Sequence, residues 1–141
     1  MKFDSDQALI YQPVSIVEGL KLEILFPKTQ PLEAELGSGD GTFLSSYATL
    51  YPERNFIGVE RLLGRLRKIE RKGLRLGLTN LQLLRIEAGY FLEYLLPQKS
   101  LVALHVYFPD PWPKRKHRKH RLINDRFTQL ARQVLQPGGI V

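Results

Sequence analysis

The residues best suited to chemistry lie in one short run, Phe108 to Arg121, which sets a carboxylate beside a dense group of cations. Asp110 stands between Pro109 and Pro111, and proline fixes its own φ and keeps the preceding residue out of the α region. The carboxylate therefore has less freedom than in an ordinary loop. Six of the eight residues that follow Pro113 are basic, namely Lys114, Arg115, Lys116, Arg118, Lys119 and Arg121. A stiffly held acid beside a surface for polyanions suits chemistry on a nucleic-acid base.

Two features of the basic regions allow more than one interpretation. Trp112 is suited equally to a stacking face beside Asp110 and to a plug in the protein core. The segment 61–75 carries seven cations and one acid, Glu70. The excess of positive charge that gives the chain its net charge of +7 is therefore concentrated in 61–75 and 114–121. We expect a phosphate-binding surface at 114–121. For 61–75, phosphate binding and an ordinary solvated face both stay open.

A glycine-rich turn lies upstream at 35–41, with the sequence Glu-Leu-Gly-Ser-Gly-Asp-Gly. Its glycines are Gly37, Gly39 and Gly41. The turn follows a predicted strand and opens a predicted helix, where glycine lets the backbone turn sharply and approach a ligand. The spacing G-x-G-x-G departs from the dinucleotide pattern, and Asp40 puts negative charge where a pyrophosphate would lie. The negative charges of Asp40 and Glu35 favour a cationic nucleotide derivative without phosphate, and S-adenosylmethionine fits this description. The alternative is that the turn is only a tight connection and binds no ligand.

Acids at two further strand ends could complete a cofactor site. Glu60 ends the second predicted strand 19 residues after Gly41, where a carboxylate can accept hydrogen bonds from both ribose hydroxyls. Glu87 and Ala88 end the third, where a carboxylate and a backbone N–H can contact the adenine amino group and a ring nitrogen. The alternatives are a polar strand end or helix N-cap at Glu60, and at Glu87 a favourable charge at a helix N-terminus.

The composition excludes several other classes of function. The chain contains no cysteine, so it has no disulfide framework and no thiolate nucleophile, and zinc ligation by sulfur is impossible. Two of its three histidines lie within the basic run, which would repel a dication, so we expect no metal site. The N-terminus does not resemble a signal peptide, and no apolar run approaches the length of a membrane helix. We expect a soluble, cytoplasmic protein without a membrane partner.

Strand-like and helix-like stretches alternate from residue 32 onward. Predicted strands cover 32–36, 55–60, 81–86 and 101–108, predicted helices cover 42–50, 61–72, 88–96 and 123–136, and Ile140 begins a fifth strand. Gly73 is interpreted as a marker of the end of the second helix. The alternation predicts an α/β fold, a Rossmann-like parallel sheet with helices on both faces. Ligands bind such sheets at the switch point, here between the first and fourth strands.

The beginning and the end of the chain differ from this regular part. Residues 1–30 are weakly periodic and are interpreted as an N-terminal lead-in to one domain over 31–141. The chain stops where a fifth strand begins, so the sheet is expected to be truncated after the fourth strand and its helix. An apolar fourth strand left as an edge could support self-association.

The segment Phe108 to Leu122 resembles the signature of the tRNA guanine-N7 methyltransferases, F-P-D-P-W-P/H-K followed by a histidine and by K-R-R-L or a close variant. The glycine loop after Glu35, the strand end at Glu60 and the pair at 87–88 follow in the family's order. His120 stands where the family usually has Arg, and residue 87 is Glu where it usually has Asp. The resemblance implies a class I methyltransferase that uses S-adenosylmethionine and acts on a guanine of the tRNA variable loop.

The resemblance also implies roles for individual residues. It places Glu35, Glu60 and Glu87 at the cofactor and Asp110 at the catalytic centre. The family's later Thr-Asp and Thr-x-Tyr-Glu-like motifs are not present, so 31–141 is expected to be the N-terminal portion of the domain. Guanine N7 already presents a lone pair, so Asp110 need not act as a general base. We expect it to accept hydrogen bonds from the guanine N1–H and amino group, while the basic run contacts tRNA phosphates.

Two other classes of function stay open on the sequence. A Rossmann-like methyltransferase with a small-molecule or protein substrate would account for the glycine loop but not for the basic run. A non-catalytic RNA-binding remnant would keep the basic surface and would not bind S-adenosylmethionine. Retention of tRNA and binding of S-adenosylhomocysteine separate the three hypotheses.

Overall fold

The computed structural model of the protein describes residues 9–11, 19–39, 41–106 and 125–141. Five strands alternate with helices along these ranges. In chain order the elements are α1 (Leu22–Leu25), β1 (Leu32–Leu36), α2 (Thr42–Leu50), β2 (Asn55–Val59), α3 (Leu63–Arg75), β3 (Leu81–Leu84), α4 (Ala88–Tyr90, continued by a π-helix over Phe91–Leu95), β4 (Leu101–His105), α5 (Asp125–Val134) and β5 (Leu135–Ile140). No helix within these ranges has the length and apolar composition needed to span a membrane.

The strands form one parallel sheet with the order β3-β2-β1-β4-β5. The chain moves outward from β1 to β3 and then returns to place β4 on the other side of β1, so the switch point lies between β1 and β4. Across it, Ala34 pairs with Leu104 and Glu35 with His105. The predicted α/β class, with its parallel sheet, is confirmed.

Apolar side chains cover both faces of the sheet. On one face, Leu44 of α2 and Leu66 and Ile69 of α3 pack against Phe56 of β2, and all four are wholly buried. On the other face, the π-helix and α5 pack against the alternate side chains of β1, β2 and β4. An ion pair between Arg126 and Glu93 links α5 to the π-helix. This double covering explains why β2 and β4 are nearly continuous apolar runs.

The described part of residues 1–30 packs onto the same sheet. Ile10 forms a parallel bridge with Leu83, and the backbone of Leu20 donates to the carbonyl of Leu95 at 2.7 Å. Leu9 and Leu25 are buried in the two apolar clusters. The lead-in therefore adds to the core at the outer edge of β3 and beside the π-helix.

Gly73 does not end α3, contrary to the sequence interpretation, since the helix continues to Arg75. The residue is buried inside the helix, and a Cβ there would collide with Cδ1 of Leu9. The physical reason is close packing: glycine at this position lets the lead-in approach the helix backbone. That requirement comes from a residue distant in sequence, so the local pattern could not reveal it.

The fourth strand is not left as an uncovered edge, because β5 pairs with it. Leu101 pairs with Leu135 and Ala103 with Ile140, so the residues between Leu135 and Ile140 bulge outward. Pro137 lacks an N–H for the ladder and Gly138 has a φ of 82°, which suits the bulge. The expectation that the fourth strand could be left as an edge is wrong, since a fifth strand starts at Leu135, directly after α5.

Candidate cofactor site and a buried polar cluster

The loop after β1 turns through three glycines in the left-handed region. Gly37, Gly39 and Gly41 have φ values of 68°, 61° and 77°, a range that other residues adopt only with strain. The N–H groups of Gly37 and Ser38 both donate to the carbonyl of Val59, at 2.8 and 3.2 Å. The loop is therefore fixed to the end of β2, which brings the ends of the first two strands together.

Two glycines at this site are needed because other atoms come very close. A Cβ on Gly41 would lie 2.9 Å from Cγ2 of Ile69 and nearer still to Cγ1. A Cβ on Gly58 would collide with Cδ2 of Leu44. Gly37 differs, because a Cβ there would have no heavy atom within 4 Å. The loop therefore packs tightly against α3 at Gly41 and faces open space at Gly37, where a ligand could approach its backbone.

Glu60 joins two of the strand-end loops through its carboxylate. Oε1 accepts a hydrogen bond from the N–H of Gly39 at 3.3 Å, and Oε2 accepts one from the N–H of Leu62 at 3.0 Å. A guanidinium nitrogen of Arg65 lies 3.9 Å from Oε1. Glu60 is buried. Each carboxylate oxygen has a further lone pair, so these contacts leave acceptor capacity for hydroxyl groups of a ligand.

Glu35 lies at the centre of the sheet, one residue before the end of β1. It pairs in register with Gly58 on one side and with His105 on the other. Its side chain is fully buried, on the face that α2 covers. This carboxyl group next to the switch point is a buried polar group at the centre of the sheet.

Glu87 caps α4 with its own side chain. Its two carboxylate oxygens accept hydrogen bonds from the N–H groups of Gly89, at 2.6 Å, and Tyr90, at 3.0 Å. Glu87 is exposed and Ala88 is half-buried. These hydrogen bonds agree with the interpretation that Glu87 stabilises a helix N-terminus. A contact between Glu87 and adenine stays a prediction.

The predicted cofactor residues share one edge of the sheet, which we term the cofactor edge: the carboxyl ends of β1, β2 and β3, with the loop 37–41, Glu60 and Glu87. The N–H of Glu60 donates to the carbonyl of Leu84 at 3.1 Å, which fixes the end of β2 to β3. Gly39 and Glu60 contact each other directly through a hydrogen bond. The edge combines glycine backbone with carboxylates and suits a ligand that carries positive charge and hydroxyls.

The predicted catalytic and substrate residues lie outside the described residues. These are Asp110, Lys114, Arg115, Lys116, Arg118, Lys119 and Arg121. Trp112, His120 and Asp40 also lie outside the described residues. The strand that leads to them, β4, ends at His105 beside β1, at the switch point. Their roles remain predictions.

A buried polar cluster at the switch point was not anticipated from the sequence. The carboxylate of Glu33 contacts Nε2 of His105 through Oε1 at 2.6 Å and accepts from the guanidinium of Arg54 through Oε2 at 2.8 Å. Only 2% of the Glu33 side chain is exposed. The hydrogen bond with Glu33 raises the pKa of Arg54 above its usual value, so the guanidinium is charged. The cluster links β1 to β4 and to the loop before β2.

Aromatic rings cover this cluster on the α2 side. The ring of Phe43 lies 5.0 Å from that of His105, and the ring of Tyr47 lies 5.9 Å from it in an edge-on arrangement. The Arg54 guanidinium lies 4.6 Å from the centre of the Tyr51 ring. These rings lower the local dielectric, which strengthens the polar contacts beneath them.

One signal in the sequence could have indicated the cluster. Glu33 and Glu35 alternate in a short strand that is otherwise apolar, so both must face the same side of a covered sheet. A carboxylate in that position needs a partner. His105 is the polar residue of β4, the strand next to β1, but the pairing depends on the register between the two strands.

We expect Glu33→Ala to lower the free energy of unfolding by about 1–3 kcal/mol, because it leaves His105 and Arg54 without their shared acceptor. Denaturant unfolding followed by circular dichroism measures this. Glu23→Ala is the matched control, since it removes an exposed acid and should change stability by less than about 0.5 kcal/mol. Equal effects of the two substitutions would show that the cluster contributes nothing.

Comparison with known proteins places this geometry among methyltransferases. Residues 29–141 match a family model described as a putative methyltransferase. A tRNA (guanine-N(7)-)-methyltransferase of Syntrophotalea carbinolica is 41% identical over 115 residues, which are 82% of this chain and 50% of the relative. One from Chromohalobacter salexigens is 40% identical over 127 residues, or 89% of this chain and 52% of the relative.

A solved structure with the same fold supports the architecture. It is a SAM-dependent methyltransferase from Aquifex aeolicus with a TM-score of 0.57 and 16% identity, and the match covers 82% of this chain and 56% of that one. At this identity the likeness concerns the fold alone. The chain spans about half the length of the curated relatives it matches.

Proposed function

The chain belongs to the methyltransferase family that it matches over residues 29–141, and on that basis we propose that the protein is a tRNA guanine-N7 methyltransferase. Curated relatives with that name share 41% and 40% identity over more than four-fifths of the chain. The observation that carries the proposal is the cofactor edge, together with the segment Phe108 to Leu122, whose sequence has the signature of these enzymes.

S-adenosylmethionine suits the chemistry of the cofactor edge. Negative charge from Glu35 and Glu60 favours a ligand with a sulfonium and an ammonium group and disfavours a pyrophosphate. The open space at Gly37 leaves room for the ligand against the backbone. We assign Glu35, Gly37, Gly39, Gly41, Glu60, Glu87 and Ala88 to this cofactor.

The roles of the residues follow from this assignment. Glu60 accepts hydrogen bonds from the ribose hydroxyls with the lone pairs that are not used by the N–H groups of Gly39 and Leu62. Glu87 and Ala88 contact the adenine. The cofactor supplies an activated methyl group on a positively charged sulfur. Guanine N7 needs no base to remove a proton, so the protein acts mainly by orienting the guanine.

Asp110 is the residue that we assign to guanine orientation. Its carboxylate accepts hydrogen bonds from the N1–H and the exocyclic amino group, which turns N7 toward the methyl carbon. S-adenosylmethionine, when bound, would supply the methyl group that the N7 lone pair accepts, and its sulfur would keep the electrons of the broken C–S bond. The cations of 114–121 hold the neighbouring phosphates, and the guanine leaves its stack to reach the pocket.

Methyl transfer to tRNA tests the proposal directly. The full-length natural protein is incubated with unmodified tRNA and radiolabelled S-adenosylmethionine, and the digested tRNA is analysed for 7-methylguanosine. Label in that nucleoside is the expected result. Binding of S-adenosylhomocysteine by calorimetry, without label in tRNA, would indicate a methyltransferase with another substrate. Retention of tRNA without any binding of S-adenosylhomocysteine would indicate a non-catalytic RNA-binding protein.

A further inference from the structure

The solvent side of α3 carries a row of exposed cations, and we propose that this row is a second phosphate-binding surface that holds the tRNA backbone. Its members are Arg61, Arg65, Lys68, Arg71 and Arg75, which we term the α3 cationic face. Arg65, Lys68, Arg71 and Arg75 are spaced three, three and four residues apart, which places them on one side of a helix with 3.6 residues per turn, and Arg61 lies just before the helix. The inference rests on the proposed function, since tRNA is the polyanion.

The acid of this segment makes no ion pair with the described cations of the row. Glu70 is half-buried, and its Oε2 accepts hydrogen bonds from the N–H groups of Leu9 at 3.1 Å and Ile10 at 3.2 Å. The carboxylate of Glu70 is therefore engaged in hydrogen bonds with the backbone of the lead-in. Of the five cations, Arg65 alone lies within ion-pair distance of a described acid, at 3.9 Å from Glu60. The other four make no ion pair with the described acids.

Apart from Arg75, whose charge in the last turn complements the helix dipole, the row does not serve the stability of the helix. Like charges three and four residues apart repel each other by about 0.2–0.5 kcal/mol per pair. Cations near the start of a helix also oppose its dipole, and Arg61 and Arg65 stand there. The buried face of the helix needs only Leu66, Ile69 and Gly73. A charge pattern that opposes local stability is typical of a functional surface, and a bound polyanion would relieve the repulsion.

The position of the row connects it to the cofactor edge. Arg61 directly follows Glu60, and Nε of Arg85, at the end of β3, donates to the carbonyl of Arg61 at 3.1 Å. From Arg65 to Arg75 the row extends about 15 Å along the helix. A ligand that reaches from the cofactor edge along this distance is larger than a nucleotide, and a charged row of this length matches a sugar-phosphate chain.

The row and the basic run belong to different parts of the sequence. The row belongs to the helix between β2 and β3, whereas 114–121 follows β4, and β1 stands between β2 and β4. On this proposal the α3 cationic face and the basic run contact separate stretches of one folded RNA. The α3 cationic face would then contribute to the binding of tRNA and not to the methyl-transfer step.

The test removes three charges that are distant from the cofactor edge. In the full-length protein, Lys68→Gln, Arg71→Gln and Arg75→Gln are combined. The matched control combines Lys21→Gln, Lys28→Gln and Arg132→Gln, which removes the same charge from exposed positions elsewhere. Binding of transcribed tRNA is measured by fluorescence anisotropy at several salt concentrations, and S-adenosylhomocysteine binding by calorimetry.

The α3 variant should bind tRNA at least about tenfold more weakly near 0.1 M salt, and its log-log salt slope should fall by about 2–3, since each phosphate contact contributes about 0.7–0.9. KM for tRNA should rise with little change in kcat, and S-adenosylhomocysteine binding should be unchanged. If the α3 variant binds tRNA as the control does while 7-methylguanosine still forms, the surface inference is wrong and the proposed function stands.

A second arm distinguishes RNA from other polyanions. Vesicles that contain phosphatidylserine are titrated with the same proteins. Loss of vesicle binding in the α3 variant with unchanged tRNA binding would overturn the inference in favour of a membrane surface. If the unsubstituted protein forms no 7-methylguanosine, the proposed function fails whatever the α3 variant does.

Discussion

Asp110→Asn in the full-length protein should abolish methyl transfer to tRNA while leaving the affinity for S-adenosylhomocysteine unchanged. An Asn side chain has one acceptor oxygen, and its amide would face a donor on guanine instead of accepting from it. Two hydrogen bonds to a charged acceptor contribute about 1.5–3 kcal/mol each, so kcat/KM should fall by about 10²- to 10⁴-fold. The loss should appear with tRNA under single-turnover conditions.

Two comparisons make the Asp110 result specific. Asp125→Asn is the matched control, because it neutralises an exposed acid in the first turn of α5 and should keep activity within about twofold. Asp110→Glu keeps the charge on a longer side chain and should retain part of the activity. Full activity of Asp110→Asn would remove this residue from the mechanism, and a loss of S-adenosylhomocysteine binding would move it to the cofactor site.

Gly41→Ala should destabilise the protein more than Gly37→Ala, by about 1–3 kcal/mol in the free energy of unfolding. Both residues have positive φ, so alanine carries a similar backbone strain of about 1–2 kcal/mol at each position. The difference is the surroundings: the new methyl group at position 41 meets the buried Ile69, and the one at position 37 meets open space. Urea unfolding with a common m-value measures the difference.

The same pair of variants separates stability from cofactor binding. The methyl group at position 37 enters the space that we assign to S-adenosylmethionine, so Gly37→Ala should weaken S-adenosylhomocysteine binding although the fold tolerates it better. Equal stability of the two variants would mean that the α3 contact at Gly41 relaxes without cost. Unchanged S-adenosylhomocysteine binding in Gly37→Ala would place the ligand away from that glycine.

The cofactor edge shows how far local sequence reasoning reaches. Strand β1 and helix α2 have the predicted bounds, since the turn between them is set by glycines and the helix stops before Pro52. Parallel strands put their carboxyl ends on one edge, so the shared location of Glu35, Glu60 and Glu87 followed from their places at the strand ends. The bonds of Glu60 to the loop backbone did not follow, because they depend on how two loops meet.

The sequence by itself determined the α/β alternation, the parallel sheet and the family, because periodicity, glycine turns and a dense motif are local properties of the chain. Only the tertiary structure decided the rest. The Glu33–His105 contact joins residues 72 positions apart, Gly73 serves the approach of Leu9, and β5 pairs with β4 around a bulge. Each of these depends on strand register or on packing between distant segments, and a one-residue shift in register would turn every side chain of a strand to the opposite face.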